Sequence, residues 1–275
     1  MNPEAQGPRA RVIVAVGYAV CDPTALAAAA QLAQSTGTEL AALFVEDVNL
    51  LRLVELPFAF EIGTASGTPR RLAASDVERA FRNRAGELKR AMSDLAASLQ
   101  FDLSFEIARG RPVRALLEAS GEHDLVVLAG VAARSLFQTP AASIVRDALR
   151  AAARRTANRP APPVAAVLQS AASAPRVLEA ALGLARAADA ELAVLLLGRD
   201  ARDAGLTDAA EKLLAKQDVA ARLTVLPDPT PENIARVVAE EGAQVLFWPG
   251  DGGFEIAADV ELLLAAINCP LIVVR

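Results

Sequence analysis

Two stretches of this chain are near copies of each other and decide its fold. Residues 25–45 read ALAAAAQLAQSTGTELAALFV, and residues 177–197 read VLEAALGLARAADAELAVLLL. They align without a gap at an offset of 152 residues, the separation of Glu39 from Glu191, and Leu32 then matches Leu184. Each copy has alanine- and leucine-rich helical spacing followed by an apolar run, which predicts a helix and then a strand. The chain is therefore expected to contain one folding unit twice.

The remainder of each copy keeps the same order of elements. Apolar runs, RVIVAVG from Arg11 and PVAAVL from Pro163, precede the two helices, and residues 101–130 resemble residues 221–250. Near-continuous apolar runs that alternate with helices indicate a parallel sheet covered on both faces. The predicted fold class is α/β, with two tandem doubly wound parallel-sheet domains at residues 1–158 and 162–275. The proline-rich stretch NRPAPP, which starts at Asn158, marks the boundary between them.

The two copies differ in two places. The first carries an insertion at about residues 46–75, whose segment NLLRLVELPFAF is strongly apolar. It is expected either to fold back over its own sheet as a helix ending before Pro57, or to form a dimer or partner surface. The helix after it is expected to begin at Ser75, with Ser75 and Glu78 as a capping box. In the second copy, Thr230 before Pro231 marks another predicted helix start. The second difference is a closing strand, CPLIVVR, with no counterpart in the first copy, so the first sheet has four parallel strands or shares a fifth.

Composition excludes several classes of protein. The net charge is −5 with acidic and basic residues interleaved, which argues against a nucleic-acid-binding surface. No segment has the roughly 18 uninterrupted apolar residues of a membrane span, so a cytoplasmic location is expected. The two cysteines, Cys21 and Cys269, match neither a disulfide framework nor a metal site and are expected to be idle.

The order of elements, with RVIVAVG, TELAALFVED, HDLVVLAG and INCPLIVVR as strands, resembles the universal stress protein family in its tandem form. The resemblance covers nearly the whole chain. It implies dimerisation through edge strands and, in many members, an adenine nucleotide at the carboxyl ends of the strands. Nucleotide-binding members have an aspartate after the opening strand and a phosphate loop after the fourth. That loop reads Gly, two residues, Gly, nine residues, then Gly with Ser or Thr.

The first copy departs from this pattern. Gly17 stands in the place of the aspartate, Ala133 in that of the second loop glycine, and Ala142-Ser143 in that of the final pair. A nucleotide here would use Gly17, the strand end at Val45, Gly130 and Ser143. The alternative is that Gly130 allows a turn and Ser143 caps a helix, and this structural alternative is favoured.

The second copy departs as well. Gln169 replaces the aspartate, and Gly250 and Gly253 keep the spacing of the first two loop glycines, but the segment after them is too short. Acidic side chains at Asp251, Glu255 and Asp259 would repel a triphosphate unless a cation intervened. A plain glycine turn is the favoured interpretation of Gly250 and Gly253.

No catalytic motif is present: the sequence contains no Gly-x-Ser-x-Gly elbow, no His-Glu-x-x-His and no Walker loop. The single histidine, His123, lies between Glu122 and Asp124 in what is expected to be a solvated turn. The expected function is a non-catalytic stress-response or signalling protein without a cofactor, a homo-oligomer or internal pseudo-dimer that acts through protein contacts. The alternative is a sensor that binds ATP or AMP.

Overall fold

The computed structural model describes residues 10–17, 23–62, 67–129, 143, 147–148, 161–198, 205–251 and 256–275. Eleven strands are assigned within these ranges: β1 (Arg11–Gly17), β2 (Glu39–Asp47), β3 (Phe60–Ile62), β4 (Pro69–Arg71), β5 (Leu103–Gly110), β6 (Leu125–Leu128), β7 (Ala161–Leu168), β8 (Ala190–Leu197), β9 (Ala221–Leu226), β10 (Val245–Pro249) and β11 (Leu271–Val274). The helices in the same ranges are α1 (Pro23–Thr36), α2 (Val48–Val54), α3 (Ala74–Leu99), α4 (Pro112–Ala119), α5 (Ala174–Ala188), α6 (Gly205–Leu214), α7 (Pro231–Glu240) and α8 (Ile256–Ala266).

Nine of these described strands form one continuous sheet in the order β5-β2-β1-β6-β11-β10-β7-β8-β9. All neighbours in it are parallel except β6 and β11. Successive residues of β1 point to opposite faces: Val12 and Val14 pack on one side with α1, α3, α5 and α6, and Ile13 and Ala15 on the other with α4, α7 and α8. Helices on both faces of a parallel sheet confirm the predicted α/β, doubly wound fold class.

The repeat is visible in the backbone as well as in the sequence. The helix and strand of residues 25–45 are α1 and β2, and those of residues 177–197 are α5 and β8. The turns between them match at the same offset, since Gly37 has φ of 62° and Asp189 has φ of 51°. Both turns need a left-handed residue to end the helix, and glycine supplies it without the steric cost that Asp189 bears.

Strand β11 answers the question of the missing fifth strand. It pairs parallel with β10 and antiparallel with β6, where Leu271 lies opposite Leu128 and Val274 opposite Leu125. Within the described residues, the first copy therefore contributes four strands and the second five, and β11 is shared between the groups. Leu271, Ile272 and Val273 are fully buried, so each stabilises the junction by roughly 1.5–3 kcal/mol.

One helix start differs from the prediction and one agrees with it. Helix α3 begins at Ala74 with Ala73 as its N-cap and no side-chain capping bond, so the Ser75 capping box is wrong. The Glu78 carboxylate is directed instead to Arg109, 3.7 Å away. Helix α7 begins as predicted at Thr230-Pro231, where the Thr230 hydroxyl accepts a hydrogen bond from the Asn233 backbone N–H at 3.2 Å.

Candidate functional site

Two of the predicted nucleotide residues are neighbours at the carboxyl edge of the sheet. Gly17 ends β1 directly opposite Val45 of β2. The prediction that the strand ends at Val45 is wrong, because β2 continues to Asp47 and its last two residues pair with β5. The Val45 side chain is only 3% exposed and packs into the apolar cluster on the α4 face. These two positions can therefore offer a ligand only backbone groups.

The remaining predicted residues of the first copy are only partly described. Gly130 lies outside the described residues, as does Gly253 in the second copy. Ser143 is helical and half-buried. These positions stay predictions.

Gly250 has a structural role beyond the plain turn that the sequence predicted. Its N–H donates to the Val274 carbonyl oxygen at 2.8 Å. A Cβ atom on Gly250 would lie 2.7 Å from that oxygen and 2.8 Å from Val273 Cγ1. Glycine is therefore needed here because β11 passes so close. Because its N–H is already bonded within the protein, Gly250 has no donor to give a phosphate.

A charged cluster at the same edge was missed by the sequence analysis. Arg109 at the end of β5 is in register with Glu46 of β2, and its Nε and Nη2 both lie 2.8 Å from Glu46 Oε2. Glu78 of α3 is the second carboxylate near this guanidinium. The adjacent Asp47 accepts a hydrogen bond from the Asn49 N–H at 2.9 Å and caps α2. In the sequence, the only sign of this cluster is a charged residue near the end of each of two predicted strands. Only the pairing register shows that these two residues are neighbours.

At the opposite, amino edge of the sheet, Asp124 is a buried structural residue, 4% exposed. Its carboxylate accepts hydrogen bonds from the Arg11 N–H at 2.8 Å, from Arg11 Nη2 at 3.1 Å and from the Gly121 N–H at 2.9 Å. The hydrogen bond to Asp124 raises the pKa of Arg11 above its ordinary value. The prediction of a solvated turn agrees with Glu122 and His123, which are exposed, and is wrong for Asp124.

Cys269 lies at the wall of a cavity of about 480 Å³ between α7 and α8. Burial raises the pKa of its thiol to about 11, so it is poorly suited to act as a nucleophile. Cys21 lies outside the described residues. Among the residues that the structure describes, no three His, Cys, Asp or Glu side chains are grouped to hold a metal ion.

Comparison with known proteins gives the fold. No protein-family model matches the sequence, and no curated protein matches it. Among solved structures, the chain is similar to a universal stress protein from Archaeoglobus fulgidus, with 13% identity over 96% of both chains and a TM-score of 0.55. This chain has the universal stress protein fold. Two proteins from Pseudomonas aeruginosa are also similar over 96% of this chain and 92% of theirs: a putative universal stress protein (13% identity, TM-score 0.45) and a functionally unknown protein (14%, 0.47).

The insertion adds to this universal stress protein fold a short helix, α2, and a two-stranded antiparallel hairpin of β3 and β4. As predicted, α2 ends before Pro57, and it folds back with Val54 buried and Leu50 and Leu51 half-buried against the core. Other large apolar side chains of the insertion are exposed: Leu53 (49%), Leu56 (38%), Phe58 (71%), Phe60 (58%) and Ile62 (70%). The predicted fold-back thus describes the inner side chains of the insertion, and no described residue covers the outer ones.

Within the described residues, none of the helices combines the length and apolar character required to cross a bilayer.

Proposed function

We propose that this chain is a non-catalytic stress-response or signalling protein of the universal stress protein type, which acts through protein contacts in the cytoplasm. The observation that carries the proposal is the exposed apolar insertion. Phe58 and Ile62 are 71% and 70% exposed, and large apolar side chains grouped on a protein surface are typical of interaction sites.

The environment of the predicted nucleotide-binding residues supports the same proposal. Gly250 already uses its N–H within the sheet, and Arg109, which follows Val45's register partner Ala108, is engaged by Glu46. Among the described residues, the Arg109 guanidinium lies between two carboxylates, those of Glu46 and Glu78. Such a balance disfavours a triphosphate, because like charges repel. We therefore propose that the nucleotide site is degenerate and that the protein needs no cofactor.

The alternative is an ATP or AMP sensor. What favours it is the pairing of Gly17 with Val45 at the carboxyl edge of a doubly wound sheet, the edge at which such folds gather ligands. A sensor of this kind would hold the nucleotide through backbone groups of these two residues and through the loops at Gly130 and Gly253.

Titration calorimetry with ATP and with AMP, each with and without Mg²⁺, distinguishes these functions. The protein is first checked by native mass spectrometry for nucleotide that co-purifies, and phosphate release from ATP is followed in parallel. We expect no binding heat, no bound nucleotide and no turnover. Saturable binding would overturn the non-nucleotide proposal in favour of the sensor, and turnover would overturn its non-catalytic part.

A variant then locates any site that the titration finds. Gly130→Val tests the first copy. Gly250→Val is unsuitable for the second, because its Cβ would strike β11 whether or not a ligand binds. Gly253→Val is the better probe there. Circular dichroism of each variant checks that loss of binding is not loss of the fold.

A further inference from the structure

The β3–β4 hairpin has two different faces. Phe60 pairs with Arg71 and Ile62 with Pro69, and paired residues in an antiparallel ladder have their side chains on the same face. Phe60, Ile62, Pro69 and Arg71 therefore share one face, and all four are exposed. Arg70 belongs to the other face, where its Nη2 lies 3.8 Å from Asp76 Oδ2 of α3. The hairpin thus directs a polar face inward to α3 and an apolar face outward to solvent.

A groove of about 380 Å³ lies beside this hairpin, between α2, β4 and α3. Leu53 and Leu72 line it together with Phe81, which is fully buried at its base. Six of the ten lining residues are apolar, and the paired charges of Arg70, Asp76 and Arg79 form most of the remainder. A concave, mainly apolar site next to projecting aromatic and aliphatic side chains suits the insertion of a side chain from a partner, as in the anchor pockets of protein interfaces.

The charge around this surface differs from that of the rest of the chain. Residues 48–83, which include the hairpin and every residue that lines the groove, contain five Lys or Arg against four Asp or Glu, a net charge of +1, whereas the whole chain has −5. Asp76 is already paired with Arg70 and Arg79. Arg52 and Arg71 are exposed and form no ion pair with any described residue. Cations without internal partners at the border of an apolar surface are complementary to an acidic ligand.

We propose that the outer face of the hairpin and the adjoining groove form a docking surface for an acidic segment of a partner protein, one that also carries large apolar side chains. The proposal rests on the proposed function and specifies its partner chemistry. A second copy is disfavoured because an isologous contact would bring these arginines of both copies into one interface and add no acidic counterpart beyond the chain's own. A lipid surface is disfavoured because a flat bilayer does not use the concave groove.

The test is fluorescence anisotropy with two labelled synthetic peptides, one in which Glu alternates with Leu and Phe, and one with Lys in place of each Glu. We expect the acidic peptide to bind at least about tenfold more tightly than the basic one, and its affinity to fall with added salt. The double variant Phe60→Ser/Ile62→Ser and the variant Arg71→Glu should each weaken that binding about tenfold or more. Leu262→Ser on α8, 59% exposed, and Arg236→Glu on α7 are the matched controls and should bind as the unaltered protein does.

Because the altered side chains are exposed, urea unfolding should be unchanged in the hairpin variants, which separates lost contact from lost fold. Equal binding of the two peptides, binding of neither, or undiminished binding by the hairpin variants would overturn the proposal. So would hairpin-dependent self-association in sedimentation experiments, or hairpin-dependent binding to phosphatidylserine vesicles without binding to the acidic peptide. If only the docking surface is wrong, the nucleotide titration still shows no binding. If the proposed function is wrong, the titration shows nucleotide binding or turnover.

Discussion

Glycine is required at position 250 because strand β11 passes close to it, and not because of a ligand. A Cβ atom there would meet the backbone oxygen of Val274 at 2.7 Å, and a backbone atom of a central strand cannot easily move away. Its role differs from that of Gly183 in the middle of α5, where an added Cβ would meet nothing within 4 Å. The same residue type thus has opposite energetic consequences at the two positions.

We predict that Gly250→Ala lowers the free energy of unfolding by about 1–3 kcal/mol through overpacking. The control, Gly183→Ala, should raise it by about 0.5–1 kcal/mol, because alanine favours the helix and the site has room. Urea denaturation followed by circular dichroism measures both. A Gly250→Ala protein as stable as the original would show that β11 does not approach this closely.

The Cys269 thiol provides a pH test. Burial raises its pKa to about 11 from an ordinary value of 9.0, so at pH 8 its thiolate fraction is about a hundredfold lower in the folded than in the unfolded protein. We predict that a thiol reagent labels Cys269 in a Cys21→Ser variant at least about a hundredfold more slowly in buffer than in urea. Because the folded protein holds the proton more tightly, stability should fall as the pH rises from 9 towards 11. Similar labelling rates in the two states would contradict the burial.

At the scale of elements, β11 joins strands from both halves of the sequence. It hydrogen-bonds to β10 on one side and β6 on the other, and its side chains enter the apolar clusters on both faces. The backbone N–H of Arg275 adds a bond to the Asp124 carbonyl oxygen at 3.1 Å, which ties the end of the strand to the turn before β6. Among the described strands, β11 is the contact through which the two groups of parallel strands become one sheet.

We predict that deletion of residues 271–275 abolishes cooperative unfolding and causes aggregation, because it bares the edges of β6 and β10 and removes four buried apolar side chains. The control is Arg275→Ala, which keeps the backbone bond and loses one side-chain hydrogen bond, from Nη1 to the Leu117 oxygen at 3.3 Å. It should cost about 1 kcal/mol or less. Size-exclusion chromatography and thermal unfolding compare the two proteins, and a monomeric, cooperatively folded deletion variant would refute the shared-strand arrangement.

At the scale of the whole molecule, the repeat builds two similar groups of strands that are not equivalent. In the part of the chain that the structure describes, the first has four strands and the hairpin insertion, and the second has five strands with β11 at the junction. The predicted domain boundary near residues 158–162 stays a prediction. Because one sheet runs through both groups, we expect them to unfold together.

The sequence alone determined the fold class, the repeat and most helices and strands, because these depend on local apolar periodicity. The helix start at Thr230 was readable for the same reason: its hydroxyl bonds a backbone group three residues away. Ser75 had an equally good local pattern, yet α3 starts one residue earlier, and Glu78 turns towards Arg109 on another element. Local patterns predict a cap well only when no tertiary partner competes for the side chain.

Only the tertiary structure decided the features that depend on residues far apart in the chain. The pairing of β6 with β11 joins positions about 145 residues apart, and the register that places Glu46 beside Arg109 has no signature in either segment. The same holds for the burial of Asp124, for the close approach of β11 to Gly250, and for which apolar side chains of the insertion face outward. Sequence periodicity indicates that a residue is buried on an apolar face. Packing between distant segments decides which residues cover that face and whether part of it stays exposed to solvent.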